Sequence, residues 1–424
     1  MVLTALFVVL VFLYSLVSKR LQRTVITAPM LFTAAGATTI LLPEAARELV
    51  LDRSVLLLIA QLGLVMLLFT DASRINRSVL KVGRSLPIRL LSVGMPLTLV
   101  LGAACAIVVL SGLSWGEAGI LAAILAPTDA GLGQVIVSSE RVPLTIRQSL
   151  NVEAGLNDGL AVPVLMLFIV LAVAEEQTGP AGAVLVRFLG QQVGYGTLIG
   201  IGIGTAGGWL LGLAYRRRWM APSLGQLGVV ALPLLCVIVA EETGASMFIA
   251  AFVAGFAVQF GFNTVGRQSV EFAEEWGQLF NYFVFFFFGT VVAGFWRHFT
   301  PAVLLYAVLS LTVVRMAPVA LALQGTRLSR ATLLFMGWFG PRGLASIVLA
   351  LVYVVREAGL AGTSTIRLAV MATVLLSVFA HGLTAQPGIN LYAKRIAALD
   401  ETSPERQAPG DGSAEPPQTP HVGT

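Results

Sequence analysis

Ser149-Leu-Asn-Val-Glu-Ala-Gly-Leu-Asn-Asp-Gly-Leu-Ala-Val-Pro-Val164 decides the architecture. This stretch holds two carboxylates, Glu153 and Asp158, and two amides, Asn151 and Asn157, and apolar sequence follows it to Ala174. A helix through it is a membrane span with acids near its middle. An ionised carboxylate in hydrocarbon is costly, so acids at that depth face a cavity or a partner. Glu153 and Asn157 are i,i+4 and share a face. Asp158 sits about 100° further round the helix and points elsewhere. One acid can therefore serve a structural partner while the other faces a wet cavity.

The rest of the chain agrees with a membrane setting. Of its 424 residues, 57% are hydrophobic and only 12% charged, and the mean hydropathy is +0.86. A soluble chain carries roughly twice that charged share. The apolar runs are long enough for helices of about 20 residues, and the alternation of barrel strands is absent. Cys105 and Cys236 lie inside apolar runs, which argues against a disulfide or metal framework, and no cofactor is expected. The net charge of +5 calls for no nucleic-acid partner, because the basic residues fall in short loops. Residues 1–17 have no basic n-region and are followed by Lys19, Arg20 and Arg23, the wrong polarity for a cleaved signal peptide.

Hydropathy gives thirteen spans, at about 1–17, 25–42, 53–70, 86–110, 116–138, 146–173, 190–214, 226–240, 244–260, 278–294, 300–323, 331–355 and 365–386. Loops on one side then carry 17 Lys and Arg residues, from Lys19 to Arg395, against six on the other, where the acids gather. The positive-inside rule puts the N-terminus outside and the C-terminus in the cytoplasm, in the cell (inner) membrane. After about Ala398 the chain turns rich in Pro, Gly and Ser, so residues 396–424 are expected to form a disordered cytoplasmic tail.

Two spans are interrupted, the fifth at Ala126-Pro-Thr-Asp-Ala-Gly-Leu-Gly133 and the twelfth at Gly337-Trp-Phe-Gly-Pro-Arg-Gly343. Pro and Gly unwind a helix, and unwound backbone at membrane depth survives only inside protein or along a cavity. One broken span in each half points to an inverted-repeat transporter with a midplane site. The expected fold is all-α and polytopic: a transmembrane domain over 1–395, with repeats at about 1–174 and 226–390 and a joint at about 190–214.

Five ionisable residues fall inside spans: Asp129, Glu153, Asp158, Arg315 and Arg342. Half-helix N-termini attract an anion and C-termini a cation. Asp129 and Arg342 stand in the two breaks and supply one of each. Arg315 lies deep in its span and needs an acid. If that acid is Glu153, Asp158 is left without a fixed counter-ion. A desolvated, unpaired carboxylate takes up a proton or a small cation, which is what exchange on one shared site requires.

Ala126-Pro-Thr-Asp129, Asn151-Val-Glu-Ala-Gly-Leu-Asn-Asp-Gly159, Val314-Arg315 and Gly340-Pro-Arg-Gly343, in this order and in these spans, resemble the NhaP-type sodium/proton antiporters of the cation/proton antiporter superfamily. The resemblance covers about residues 1–390. It implies that Asp158 carries the exchanged ion, and that Asn157 marks the electroneutral branch, where electrogenic relatives have a second Asp. It implies a network of Glu153, Arg315 and Asn157, and an ion site lined by Asp129 and the Thr128 main chain. It further implies a homodimer in lipid working by an elevator-like movement. One position departs from the pattern: the Ser that commonly follows the Glu is Ala154. A hard cation then lacks one oxygen ligand, which backbone or water must replace, and K+ or Li+ stays open beside Na+.

Blander readings stand beside these. Asp129 serves dipole compensation, ion binding or both. Asp71 reads as an interface residue beside Arg74, Glu241 and Glu242 as solvated charge or a cation-attracting funnel, and His381 as a structural histidine or a pH sensor. Phe285 to Phe288 read as packing bulk. An intramembrane aspartyl protease is the competing class. It needs two acids sharing a proton, and two arginines among the acids oppose that.

Overall fold

A computed structural model describes residues 2–21, 24–42, 53–74, 85–176, 186, 190–261, 267–356, 360–400 and 403–406. Among them every regular element is helical and no strand occurs. In chain order the helices are α1 (Val2–Leu21), α2 (Ala28–Thr38), α3 (Arg53–Arg74), α4 (Ser85–Val109), α5 (Trp115–Leu125), α6 (Ala130–Val137), α7 (Leu144–Glu176) and α8 (Gly190–Arg216). They continue as α9 (Pro222–Thr243), α10 (Met247–Gly261), α11 (Arg267–Phe295), α12 (Pro301–Leu311), α13 (Val313–Ala322), α14 (Arg330–Trp338), α15 (Leu344–Arg356) and α16 (Thr363–Ala397). Among the described residues nine helical stretches are long and apolar enough to cross a membrane. Ala28–Leu41, Leu57–Ser73, Met247–Gly261 and Leu344–Val354 are shorter and also apolar. The chain is a multi-pass membrane protein.

Local sequence sets the helix ends. Ser114 and Glu117 form a reciprocal capping box at α5, Thr300 caps α12 ahead of Pro301, and Ser329 caps α14. Gly244 ends α9 in the left-handed conformation, φ 66°. On α8, Gly196, Gly200, Gly204, Gly208 and Gly212 recur every fourth residue and are all buried. A Cβ at Gly200 or Gly204 would run into the backbone of α10, so this stripe brings the two helices into close contact.

Two apolar clusters form the interior. The larger takes in Phe285 and Phe286 of α11, which are fully enclosed. The smaller joins Leu86, Ile146, Phe335, Phe339, Ile389 and Tyr392. It explains one difference from the hydropathy reading. α16 does not end near residue 386 but continues through Pro387 to Ala397, because Ile389, Tyr392 and Ile396 bury one side of an otherwise polar extension. Beyond it, residues 403–406 form a turn in which Glu405 accepts hydrogen bonds from the Ser329 amide (2.7 Å) and the Thr332 hydroxyl (2.8 Å). The rest of the expected tail, 401–402 and 407–424, and the loop charges within 43–52 and 75–84 lie outside the described residues.

Candidate functional site

The two interrupted stretches meet. α5 stops at Leu125 and α6 restarts at Ala130, while α14 stops at Trp338 and α15 restarts at Leu344. The Asp129 amide donates to the Pro341 carbonyl at 2.8 Å, tying one break to the other. Asp129 also caps two helices at once. Its Oδ1 accepts from the Gly131 and Leu132 amides (2.7 and 3.1 Å), and its Oδ2 from the Leu344 amide (2.7 Å). One carboxylate thus answers the positive ends of both α6 and α15. Arg342 does the reverse at α5, donating from one Nη to the Ala126 and Pro127 carbonyls (3.0 and 3.1 Å). Gly343 has no alternative here: any Cβ would fall on the Asp129 carboxylate.

α7 brings up the remaining acids. Glu153 is clasped by Arg315 of α13 through two bonds of 2.5 and 2.9 Å, with both residues at most 4% exposed. The Arg315 guanidinium lies against Gly340, where a side chain would displace it. Asn157 faces the first break. It accepts from the Thr128 amide (3.2 Å) and donates to the Thr128 hydroxyl (2.7 Å). Its bonds therefore fix the unwound backbone rather than joining the Glu153–Arg315 pair, a difference from the network implied by the resemblance.

Asp158 stands apart. It is 3% exposed and its Oδ1 has no hydrogen-bond partner among the described residues. Asp129, Asp71 and Arg342 are within electrostatic reach. A cavity of about 20 Å³, room for one water or one largely dehydrated ion, is lined by residues including Thr128, Asp129, Asn151, Ala154, Phe339 and Pro341. Ala154 is four residues before Asp158, on the same face of α7, so the cavity ends about one helical turn short of that carboxylate. Residues of both breaks, Asp129 and Ala154 thus share one small space.

The other residues singled out from sequence are placed as follows. Asp71 packs against Gly155 of α7, and the side chain of Arg74 is outside the described ones. Glu241 and Glu242 are exposed at the end of α9, and Phe285 to Phe288 are buried. His381 is buried in α16 and bonded at both ring nitrogens, to residues at the second break and on its own helix. Ser377, which joins His381 to Arg342, escaped the sequence reading because a serine in an apolar helix carries no signal of its own.

A family model described as "Sodium/hydrogen exchanger, transmembrane" matches residues 3–390. The K(+)/H(+) antiporter NhaP of Alkalimonas amylolytica is 26% identical over 298 residues, covering 69% of this chain and 50% of that protein. The Na(+)/H(+) antiporter of Schizosaccharomyces pombe is 24% identical over 249 residues, covering 54% and 52%. The chain spans about half the length of these curated relatives. Among solved structures, the sodium proton antiporter MjNhaP1 of Methanocaldococcus jannaschii at pH 8 superposes with a TM-score of 0.74 at 18% identity, over 93% of this chain and 99% of that one. That likeness establishes the shared fold.

Proposed function

The chain belongs to the sodium/hydrogen exchanger family, and from that premise we propose that it is a secondary antiporter exchanging a monovalent cation, Na+ first, for H+ at Asp158. The observation that carries this reading is the contrast among the acids. Glu153 is held by Arg315 and Asp129 by three backbone amides, whereas the Oδ1 of Asp158 is enclosed and unbonded, about one helical turn beyond the cavity-lining Ala154. A carboxylate with no protein donor on that oxygen is free to exchange one small cation for another. Thr128 and Asp129 line the approach to it and Asn157 holds Thr128 in place. Arg342 and the Glu153–Arg315 pair support the frame.

Alternating access follows from the cost of a bare charge. An empty, ionised Asp158 moving through a dry barrier would be unpaired and unsolvated, so only the protonated or cation-bound form crosses. With a single exchanging acid, the stoichiometry is one to one and electroneutral. The remaining parts of the proposal rest on the resemblance and the loop charges: thirteen spans in two inverted repeats, N-terminus outside and C-terminus in the cytoplasm of the cell membrane, and an elevator-like movement within a homodimer. A second reading, K+ or Li+ in place of Na+, is favoured by one observation. Ala154 lines the cavity and offers no side-chain oxygen there, so the coordination list is one ligand shorter than a hydroxyl would make it. The name of one relative, a K(+)/H(+) antiporter, points the same way.

The test is a salt series on the reconstituted protein. Proteoliposomes with an acid interior are challenged with sodium, potassium or lithium chloride at several pH values, and lumenal pH is followed by dye quenching. Alkalinisation driven by one of these ions supports the proposal and names the ion. Inertness towards all three, in vesicles that hold their pH gradient, overturns it.

A further inference from the structure

Four half-helix ends face one another where the breaks meet. The N-termini of α6 and α15 are met by Asp129, and the C-terminus of α5 by Arg342. The fourth, the C-terminus of α14, is met by neither. The Nε2 of His381, on α16, lies 2.8 Å from the Trp338 carbonyl, the last of α14. A carbonyl only accepts, so the bond to α14 is made when this nitrogen carries the proton. Nδ1 faces the Ser377 hydroxyl at 3.1 Å and the Ser377 carbonyl at 3.0 Å. The same hydroxyl oxygen accepts the Arg342 amide at 2.7 Å. His381 and Ser377 are one turn apart on α16 and together bracket the unwound stretch, His381 before it and Ser377 after it.

What they bracket is part of the cavity. Phe339 and Pro341 line it, and the Pro341 carbonyl holds the Asp129 amide. The imidazole hydrogen-bonds to no acid; it reaches the cavity lining through the Trp338 carbonyl and through an edge contact with the Phe339 ring, centroids 6.5 Å apart. We propose that His381, acting with Ser377, is a positioning residue for the ion site: it fixes the Trp338–Arg342 crossing segment and so sets the affinity of the site for its cation. The nature of that cation rests on the exchange reading above; the clamp itself does not. A histidine that merely filled space would tolerate loss of its polar atoms. A clamp needs the Nε2–H donor at this place.

Two measurements on the full chain test this, with His381→Ala, His381→Gln and Ser377→Ala. In proteoliposomes, His381→Ala should raise the half-saturating sodium concentration about tenfold, the scale seen when the outer partner of a ligating group is lost, with the maximal rate little changed. His381→Gln keeps an amide donor of similar reach and should recover most of the affinity. Ser377→Ala should shift affinity in the same direction, and combining it with His381→Ala should add less than the two effects separately, since both act on one segment. Independently of transport, hydrogen exchange in detergent at the peptide spanning 338–344 should quicken in His381→Ala and Ser377→Ala and stay near wild type in His381→Gln. Unchanged protection in a folded His381→Ala protein overturns the inference even if the wild type proves inert. Wild-type affinity in that variant, or equal impairment by Ala and Gln, overturns it as well. Absence of exchange in the wild type strikes the antiporter reading alone, because the hydrogen-exchange result still decides the clamp.

Discussion

Removing Arg315 should destabilise this protein by a predictable amount, and a second substitution should restore most of it. The guanidinium makes two bonds to Glu153, of 2.5 and 2.9 Å, and both residues are almost fully enclosed. Arg315→Ala leaves a carboxylate buried without a partner, at a cost of about 3–5 kcal/mol. A chain of this length loses roughly 1–2 °C of melting temperature per kcal/mol, scaled from smaller domains, so the fall should be on the order of 5 °C. Substituting both partners by apolar residues of similar volume, Glu153→Leu with Arg315→Met, removes charge and counter-charge together. The double variant should melt within a degree or two of wild type, because a buried pair contributes little beyond an apolar replacement. Thermal unfolding in detergent, read by the fluorescence of the six tryptophans, makes the comparison. A single variant as stable as wild type refutes the reasoning, and so does a double variant that melts as low as the two single losses added.

Other consequences follow from particular contacts. Gly343→Ala should abolish or cripple exchange while leaving membrane insertion intact, because its Cβ would displace the carboxylate that caps α6 and α15; overpacking of this kind costs about 1–3 kcal/mol, and normal transport by the variant would contradict it. Clamping proteoliposomes at different membrane potentials should leave the exchange rate unchanged, and a rate that follows the potential would contradict one-to-one stoichiometry. The turn at Ser403–Arg406 should detach on acidification. Burial alone would raise the Glu405 carboxyl, but hydrogen bonds from the Ser329 amide and the Thr332 hydroxyl outweigh that and hold it below the usual carboxylate range. A group depressed in the folded state stabilises above its unfolded value, about 4.3 for Glu, and that contribution is lost as pH falls through the folded value. Protease sensitivity after Leu399 should therefore rise below that range, and Glu405→Gln should show it already at neutral pH.

Much of this was legible because membrane depth makes charge expensive. Glu153, Asp158, Asp129, Arg315 and Arg342 stand out in apolar sequence, and the electrostatic preference of helix ends is enough to expect Asp129 and Arg342 at opposite ones. Pro127 and Pro341 mark the breaks for the same elementary reason, a missing amide. What could not be read is which element supplies the long-range partner. Asn157 is four residues from Glu153 on one face, yet its bonds go to Thr128, because that residue, between α5 and α6, offers it a donor amide and an acceptor hydroxyl together. His381 and Ser377 act at a break more than 30 residues away in the chain, and hydropathy says nothing of that. The end of α16 was hidden because its outer part is amphipathic rather than apolar, and Glu405 because a turn in a polar segment resembles disorder until its donors, the Ser329 amide and the Thr332 hydroxyl, are seen.

The central claim is that hydrogen ion and alkali cation displace each other at one carboxylate. It is tested most directly by adding sodium chloride to purified protein in a weakly buffered solution and recording the protons set free. The account predicts release of about one proton per protomer, saturating with sodium, as expected when a cation replaces a proton on a single ligand, and none from a folded Asp158→Asn variant. Proton release that persists undiminished in that variant, or sodium binding to wild type with no proton released at any pH, would contradict it.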